Sequence, residues 1–574
     1  MTSYPKLYTE AGERLLSSLA DGGIPWDVYP RPLLERDSYL NLNGSWSLSV
    51  TEPSGRSRDF TITLPFPPES LLSGVNERFP EGSTLLYRRE LSLPSGFLRD
   101  RVILHVGACD NSCEVSVNGV AVGAHVGGYD PFSFDITDCL AEQNVITIRA
   151  TDRLDGTLPY GKQRHKRGGM WYTPISGIWQ TVWLESVPER HVTSLDVTVE
   201  GSNAHFTVGG VRDGRITVTT PEGERSTLLS DGLATLELGE PRRWSPADPY
   251  LYRYEVESGE DRVRSYFAVR EISIETVDGT PRLCLNHEPI FLNGLLDQGY
   301  FSDGIYTPAA PESYTEDILA ARRLGINTLR KHIKLEPAFF YAECDRLGML
   351  VVQDMVQNGK YSFLRDTALP TVGLIRRDDR RAHRDPETRR AFIEGMERTV
   401  GLLRAHPSIV VWTVFNEGWG QFCSTELYRR LRALDPTRPI DSASGWFAGG
   451  ESDFDSRHIY FKPIRLKPSG KPIFLSEFGG YCLRVDGHLF GDGNYGYRRF
   501  DSQTDFEAAM RRLYEEELLP AVAQGLCGAI CTQLSDVEDE TNGILTYDRR
   551  VAKLPSGFFE PINRRIDELI RPKK

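Results

Sequence analysis

The stretch that decides the fold is SIVVWTVFNEGWG, from Ser408 to Gly420. Its first part is a run of β-branched and aromatic residues, which is typical of a strand buried on both faces, as in a parallel sheet. The run ends in Asn416 and Glu417, and a glycine turn follows. Since α/β barrels carry their chemistry at the carboxyl ends of their strands, the stretch predicts a barrel strand that delivers Glu417 to a site.

A second stretch, PIFLSEFGG over residues 472–480, has the same pattern of a short apolar strand that ends in Glu477 and glycines. A single glutamate at a strand end is usually a solvated loop residue. Two such glutamates in one barrel-length segment match glycoside hydrolysis, which uses one carboxyl group as proton donor and the other as nucleophile or base. We therefore predict that Glu417 and Glu477 are a catalytic pair.

From about residue 276, strand-like runs alternate with amphipathic stretches, which indicates βα units and a parallel sheet. The strand-like runs are 288–296, 326–332, 349–355, 408–417, 439–446, 458–462, 472–477 and 528–536. Eight runs predict a catalytic (β/α)8 TIM barrel over residues 276–574, although the helical pattern is thin around the fifth and sixth strands.

The chain before the barrel is all-β in pattern. Short strands with Asn-Gly turns predict a β-sandwich over residues 1–186, preceded within that range by a leader of about 34 residues that we expect to pack on it. Residues 187–275 continue as short strands without a helical period, which predicts an immunoglobulin-like β-sandwich. The expected architecture is therefore multidomain, with two sandwiches and a C-terminal barrel.

The composition excludes several classes of partner. A net charge of −13 argues against nucleic acid or an acidic membrane. The N-terminus lacks the basic and apolar regions of a signal peptide, and no run reaches the roughly 18 apolar residues of a transmembrane helix. The nine cysteines are scattered without a CxxC pair, so we interpret them as buried thiols. We expect a cytoplasmic protein whose mechanism needs no cofactor; a bound structural metal ion and a homo-oligomer both stay open.

The residues at the two strand ends resemble known motifs. Asn416-Glu417 and Ser476-Glu477-Phe478-Gly479 resemble the acid/base and nucleophile motifs of glycoside hydrolase family 2, which contains β-galactosidases, β-glucuronidases and β-mannosidases. The resemblance implies that Glu417 is the acid/base, that Glu477 is the nucleophile, and that the reaction retains the anomeric configuration. It also implies that the first sandwich, through residues 125–137 and 177–185, is the sugar-binding-like jelly roll of that family.

The resemblance further implies substrate-binding residues. Arg330 and Tyr460 match residues that orient the nucleophile, and Asn416 is the natural partner of the sugar 2-hydroxyl. The chain departs from the best-known members after the first, second and third barrel strands, where Asp297, His332 and Asp354 replace the usual residues. The substrate-binding candidates are Asn416, Arg330, Tyr460, Asp297, His332, Asp354, Trp446 and Gln533.

The substrate class follows from a further departure. β-Glucuronidases carry an Asn-x-Lys pair for the sugar carboxylate in the region that aligns with residues 533–550, and Glu540-Thr541-Asn542 stands there instead. Because a glutamate repels an anionic sugar, we expect a retaining exo-β-glycosidase for terminal neutral sugars, β-galactosidase-like in specificity. A β-glucuronidase or another β-glycosidase of the family stays open, since the arginine-rich loop 376–385 is a second source of cations, unless its arginines pair internally with aspartates.

Two alternatives concern the rest of the molecule. The basic segment 162–167, followed by Trp171 and Tyr172, is either a solvated loop or a loop that reaches over the barrel mouth with aromatic residues for a sugar face. A non-catalytic carbohydrate-binding protein is the alternative from another functional class. The presence of Glu417, Glu477 and Asn416 together argues against it.

Overall fold

The computed structural model of the protein describes residues 6–369, 374, 378–447, 449–493 and 495–571. The first all-β region folds as two antiparallel sheets around one core. The first sheet has the strand order Ser57–Leu64, Gly44–Thr51, Thr84–Leu91, Asn144–Thr151, Ser112–Val117, Val120–Val126. The second has the order Tyr39–Asn41, Val182–Val187, Arg101–Val106, Phe132–Asp135, beside a short pair, Cys109–Asp110 with Gly177–Ile178. Side chains from both sheets, such as Trp46 and Leu104, share one apolar cluster, which makes the region a sandwich.

The second all-β region is a seven-stranded sandwich. One sheet contains Ser194–Glu200, Asn203–Gly209 and Leu233–Glu237, and the other contains Gly223–Leu229, Gly214–Thr220, Tyr252–Ser258 and Asp261–Phe267. Three plus four antiparallel strands are the immunoglobulin-like count. A small sheet of Ile272–Val277, Thr280–Leu285 and Glu288–Pro289 follows and spans the boundary that we predict at residue 275.

The C-terminal region is a parallel barrel, which confirms the predicted fold class. Its strands, from the first to the eighth, are Leu292–Asp297, Thr328–Lys331, Leu350–Asp354, Ile409–Thr413, Ile440–Asp441, Asp455–Ile459, Ile473–Gly479 and Leu526–Thr532. The first strand pairs with both the second and the eighth. The fifth and sixth strands form the two edges of the sheet over the described residues, so the barrel is nearly closed.

Helices cover most connections of the barrel. They are Glu312–Leu324, Ala338–Leu347, Pro386–Leu403, Ser424–Leu434, Gln503–Arg512, Leu519–Val522 and Glu560–Ile570, with π-helical segments Leu364–Ala368 and Leu513–Leu518. A 3-10 turn, Thr137–Cys139, lies in the first sandwich. Over the described residues, no helix follows the fifth or the sixth strand. No helix in the described part of the chain is long and apolar enough to cross a membrane.

The leader packs on the barrel as well as on the first sandwich, which corrects the expectation for this segment. Its helix, Glu10–Ala20, starts after Thr9, whose backbone N–H and hydroxyl both donate to the buried carboxylate of Asp303. The Trp26 indole donates to the carbonyl of Pro308. Asp303 and Pro308 lie in the connection after the first barrel strand, and a buried carboxylate in that position requires donors.

Candidate active site

The two predicted glutamates lie at the carboxyl ends of the fourth and seventh barrel strands. Glu477 is part of the buried strand Ile473–Gly479. Glu417 follows the fourth strand and has a φ of 53°, a value that few residues other than glycine adopt. Its backbone N–H donates to the carbonyl of Ser444, 3.0 Å away, in the segment after the fifth strand. Neighbouring strand ends therefore hold Glu417 in a conformation that costs about 1–3 kcal/mol in isolation.

The carboxyl groups of Glu417 and Glu477 are close together, with His458 between them. One oxygen from each carboxyl and one ring nitrogen of His458 all lie within 4.8 Å of one another. Nδ1 of His458 is 2.8 Å from Glu417 Oε1 and 3.5 Å from Glu477 Oε2. The sequence analysis did not identify His458. Its position two residues before Tyr460, which places both side chains on one side of an extended segment, is the signal that was available.

The environment of Glu477 keeps its carboxyl ionised. Arg330 Nη1 donates to Oε1 at 3.0 Å, and the Tyr460 hydroxyl donates to Oε2 at 2.5 Å. Burial by itself raises the pKa of Glu477. The positive charges of His458, Arg330 and His332 and the hydrogen bond from Tyr460 outweigh burial and lower the pKa to about 2. Glu417 has a more open side chain, 17 % exposed compared with 6 % for Glu477.

Arg330 connects the catalytic carboxylate to the residue before Glu417. Its guanidinium group is fully buried and donates to Asp354, to the carbonyl of Ser476, to Glu477 and, through Nη2 at 2.9 Å, to Asn416 Oδ1. This bond fixes the orientation of the Asn416 amide, whose NH2 group has no protein acceptor among the described residues. That amide is free to donate to a ligand at the barrel mouth.

Two other predicted residues, Asp354 and Asp297, already accept hydrogen bonds from protein donors. Asp354 accepts from Arg330 and from His332 Nδ1, so it orients those two side chains. Asp297 accepts from Lys331 and from the N–H of Gly299.

The remaining two candidates, Gln533 and Trp446, differ in whether they lie next to the two glutamates. Gln533 is fully buried and uses its amide group on Asn542 and Gln298. Trp446 donates its indole N–H to the carbonyl of Asp366 and places its ring edge-on to His458, with 5.6 Å between ring centroids. The structure therefore brings Trp446 to the pair of glutamates and leaves Gln533 without a free polar group.

The basic segment of the first sandwich lies at the barrel mouth. The Trp171 ring contacts the ring of Trp419, with 4.9 Å between centroids, and Trp419 follows Glu417 by two residues. The Tyr172 hydroxyl donates to the buried carboxyl of Glu540, in the connection after the eighth strand. The alternative in which this loop reaches over the mouth thus describes the structure better than the solvated loop.

Lys162 brings a positive charge into this region. Its side chain is buried, at 7 % exposure, and its ammonium lies 5.7 Å from the centre of the Trp171 ring. Among the described residues, it has no hydrogen-bond acceptor and no carboxylate partner. Burial and, next, the charge of Lys162 lower the pKa of His332, and the same charge opposes the rise of the Glu540 pKa on burial. The Lys162 ammonium therefore stands close enough to His332 and Glu540 to act on both electrostatically.

Known proteins are similar to this chain in sequence and in fold. The family model described as "Glycosyl hydrolases family 2, TIM barrel domain" matches residues 281–461. The β-galactosidase of Aeromonas hydrophila is 28 % identical over 501 residues, which cover 77 % of this chain and 44 % of that protein. The matched barrel domain and these relatives support glycoside hydrolase family 2 for this chain.

Further relatives extend the comparison. The β-glucuronidase of Streptococcus agalactiae is 23 % identical over 85 % of this chain and 89 % of its own length. The solved structure of the β-D-glucuronidase of Dictyoglomus thermophilum superposes with a TM-score of 0.73 at 18 % identity and covers 95 % of this chain and 100 % of that one. At this identity the structural likeness shows the fold. The chain spans less than half the length of the Aeromonas relative.

Among the described residues, one set of His and carboxylate groups is close enough together to hold a metal ion, namely Glu417, His458 and Glu477. Glu417 already contacts the ring nitrogen of His458, and Glu477 already accepts from Arg330 and Tyr460. A cation at this position would occupy the space between the two carboxyl groups. The existing contacts of Glu417 and Glu477 therefore already use the oxygen and nitrogen atoms that a cation would need.

The arginine-rich loop is only partly described. Arg376 and Arg377 lie outside the described residues. Arg380 forms an exposed ion pair with Asp378, at 2.9 Å, and Arg384 donates to the carbonyl of Arg381. Arg380 thus pairs with an aspartate and Arg384 with a main-chain carbonyl of the same loop, as the solvated alternative expects.

Proposed function

We propose that the protein is a retaining exo-β-glycosidase that works by double displacement through a covalent glycosyl-enzyme. The observation that carries the proposal is the approach of the Glu417 and Glu477 carboxyl oxygens to within 4.8 Å. Retaining enzymes separate their two carboxyl groups by about 5–5.5 Å, whereas inverting enzymes leave about 6.5–9.5 Å for a water molecule. The short separation supports the retaining mechanism.

In the first step, Glu477 is the nucleophile and Glu417 is the acid. The low pKa of Glu477 keeps its carboxylate available for attack at the anomeric carbon at neutral pH. Glu417 donates a proton to the leaving oxygen as the glycosidic bond breaks. The Asn416 amide, oriented by Arg330, donates to the sugar 2-hydroxyl, a contact that strengthens in the oxocarbenium-like transition state.

In the second step, Glu417 acts as the base. It removes a proton from a water molecule, which attacks the anomeric carbon and breaks the ester bond to Glu477. Arg330 and Tyr460 stabilise the carboxylate that leaves, since both donate hydrogen bonds to it. Two displacements at one carbon return the original β-configuration.

For the sugar, we propose a neutral β-galactoside as the first candidate. Its support is the buried Glu540, which stands in the region that aligns with the Asn-x-Lys pair of β-glucuronidases, and the likeness to a β-galactosidase. Burial raises the pKa of Glu540, while the hydrogen bonds from Tyr172 and Asn542 and the charge of Lys162 oppose the rise. A protonated Glu540 would repel a sugar carboxylate less than an ionised one.

A β-uronide is the second candidate, and Lys162 favours it. The Lys162 ammonium has no carboxylate partner among the described residues, so it is available to pair with a carboxylate of a ligand. Lys162 acts on both His332 and Glu540, so a sugar carboxylate bound between those residues would lie within its field. In this candidate the cation comes from the first sandwich, in place of the Asn-x-Lys pair of β-glucuronidases.

The decisive experiment is a panel of aryl β- and α-glycosides, including the β-galactoside, β-glucoside, β-glucuronide and β-galacturonide. We expect turnover of β-anomers only, and the product anomer, read by NMR at early times, should be β. An α-product would contradict retention. If no glycoside is turned over while sugars still bind, the non-catalytic carbohydrate-binding alternative would replace this proposal.

A further inference from the structure

A chain of buried hydroxyl groups runs behind the two glutamates and ends on His458. His458 Nε2 is 2.9 Å from Ser444 Oγ, which is 2.8 Å from Ser476 Oγ. Ser476 Oγ is 2.7 Å from Ser456 Oγ, and Ser456 Oγ donates to Asp441 Oδ2 at 2.7 Å. The three serines and Asp441 are at most 2 % exposed. The mechanism above uses none of these four residues.

We propose that Ser444, Ser476, Ser456 and Asp441 form a proton relay which, through His458, sets the protonation state of the acid/base Glu417. The proposal rests on the function proposed above. Each link is short enough for a hydrogen bond, and each hydroxyl can donate one proton and accept another. A chain of this kind can exist with either of two polarities.

In the first polarity, Asp441 is ionised and every donor points toward it. Ser456 donates to Asp441, Ser476 to Ser456, Ser444 to Ser476, and Nε2–H of His458 to Ser444. Nδ1 then carries no proton and accepts one from the protonated carboxyl of Glu417, at 2.8 Å. Glu417 is in the form that a general acid requires.

In the second polarity, every proton has moved one place along the chain. The Glu417 O–H bond breaks and an Nδ1–H bond forms, while the Nε2 proton passes to Ser444 and each serine passes its own proton onward. An O–H bond forms on Asp441. The number of protons is unchanged and no electron is transferred. Glu417 is now ionised and accepts a hydrogen bond from Nδ1–H, which is the form that a general base requires.

The surroundings of Asp441 suit a proton store. Burial raises its pKa to about 6, against the hydrogen bond from Ser456 and the positive charge of Arg330. Asp354 adds a negative charge that raises the pKa further, and the buried Cys527 thiol on the eighth strand has a pKa of about 12. The second carboxyl oxygen, Oδ1, is buried without a hydrogen-bond partner among the described residues. Asp441 can therefore exchange a proton near neutral pH without breaking a second bond.

The test compares Asp441→Asn and Ser456→Ala with wild type on two substrates of one sugar, an alkyl glycoside and an activated aryl glycoside. Asparagine cannot take up the proton, and alanine interrupts the chain. We expect each variant to lose about tenfold or more in kcat/KM on the alkyl glycoside, within the roughly 10²–10⁴-fold contribution of general acid catalysis, and less than about threefold on the aryl glycoside. The wild-type pH profile should show an inflection near pH 6 that both variants lack.

Four further variants separate a relay from a structural role. Ser444→Thr keeps a hydroxyl and should restore the split between substrates to the wild-type value, whereas Ser444→Ala should not. Ser442 is a buried neighbour of Asp441 that is not part of the relay, so Ser442→Ala should leave kcat/KM unchanged. The double variant Asp441→Asn/Ser456→Ala should be no worse than either single variant, since one break suffices.

Equal losses on both substrates, or a pH profile that keeps its inflection in Asp441→Asn, would overturn the relay. The proposed function fails separately, and earlier, if the wild-type protein hydrolyses neither substrate.

Discussion

Replacing Arg330 with methionine should damage the site through two buried carboxylates at once. The guanidinium group is fully buried and donates to Asp354, Glu477 and Asn416. Removing one partner of a buried ion pair typically costs about 3–5 kcal/mol. His332 still donates to Asp354, so we expect a loss near the lower end of that range in the free energy of unfolding.

The same substitution should move the acid limb of the pH profile. The pKa of Glu477 is about 2, below its ordinary value of 4.5, and this difference corresponds to about 3 kcal/mol in favour of the ionised form. Because the folded-state pKa is depressed, this stabilisation is complete above pH 4.5 and disappears as the pH falls toward 2. Arg330 is one of three charges that lower the pKa, so methionine should raise it and shift the acid limb of kcat/KM toward neutral pH.

Urea unfolding at pH 7 and kcat/KM on an activated aryl glycoside from pH 3 to 8 measure both effects. We expect kcat/KM at pH 7 to fall about 10²-fold, the loss that a small displacement of reacting groups produces. Arg330→Lys keeps the charge and should keep the acid limb, but one ammonium cannot reach all the acceptors, so its rate should still fall. An unchanged acid limb in Arg330→Met, with unfolding free energy within about 0.5 kcal/mol of wild type, would refute the reasoning.

Further predictions follow from the same site. Glu417→Ala should lower the hydrolysis of alkyl glycosides far more than that of activated aryl glycosides, and with added azide it should form a β-glycosyl azide. Glu477→Ala should lose activity on every substrate, and with added azide it should form an α-glycosyl azide. NMR of the products distinguishes the two azides. Lys162→Met should lower kcat/KM for a β-uronide relative to a β-galactoside, with the exposed Lys166→Met as matched control; equal effects of both variants would contradict a carboxylate contact. The isolated segment 276–574 should be inactive or poorly folded by circular dichroism, since it lacks the loop that carries Lys162 to the barrel mouth, and a fully active fragment would refute that dependence.

Much of the barrel could be predicted because its strands are buried on both faces and therefore appear as continuous apolar runs. The stretches around Glu417 and Glu477 combine such a run with a polar end, and the structure places both glutamates at the carboxyl ends of barrel strands. The fifth strand is only two residues long, and no helix follows it in the described part of the chain. A strand that short leaves almost no periodic signal, which is why the pattern is thin there.

The contacts around the two glutamates were harder to predict, because they join residues distant in sequence. Lys162 and Glu540 lie on different domains, and the relay joins strands five, six and seven through serine hydroxyls. The sequence around a serine in or after a strand is the same whether its hydroxyl belongs to a relay or to an ordinary turn. Only the side-chain distances reveal that these hydroxyls form one chain.

The same reasoning explains why specificity depends on two domains. In the proposed function, the barrel supplies the carboxyl pair, and the separation of Glu417 and Glu477 supports a retaining reaction whatever the sugar. The sugar-dependent charges come from Glu540 on the barrel and Lys162 on the first sandwich, and these two oppose each other. If Glu540 is ionised, its charge compensates that of Lys162, and these two residues together are neutral, which suits a neutral β-galactoside. If Glu540 is protonated, the charge of Lys162 is left for a sugar carboxylate. The pH dependence of the β-uronide to β-galactoside rate ratio therefore reports the protonation of Glu540, and this ratio should increase as the pH falls through the pKa of Glu540.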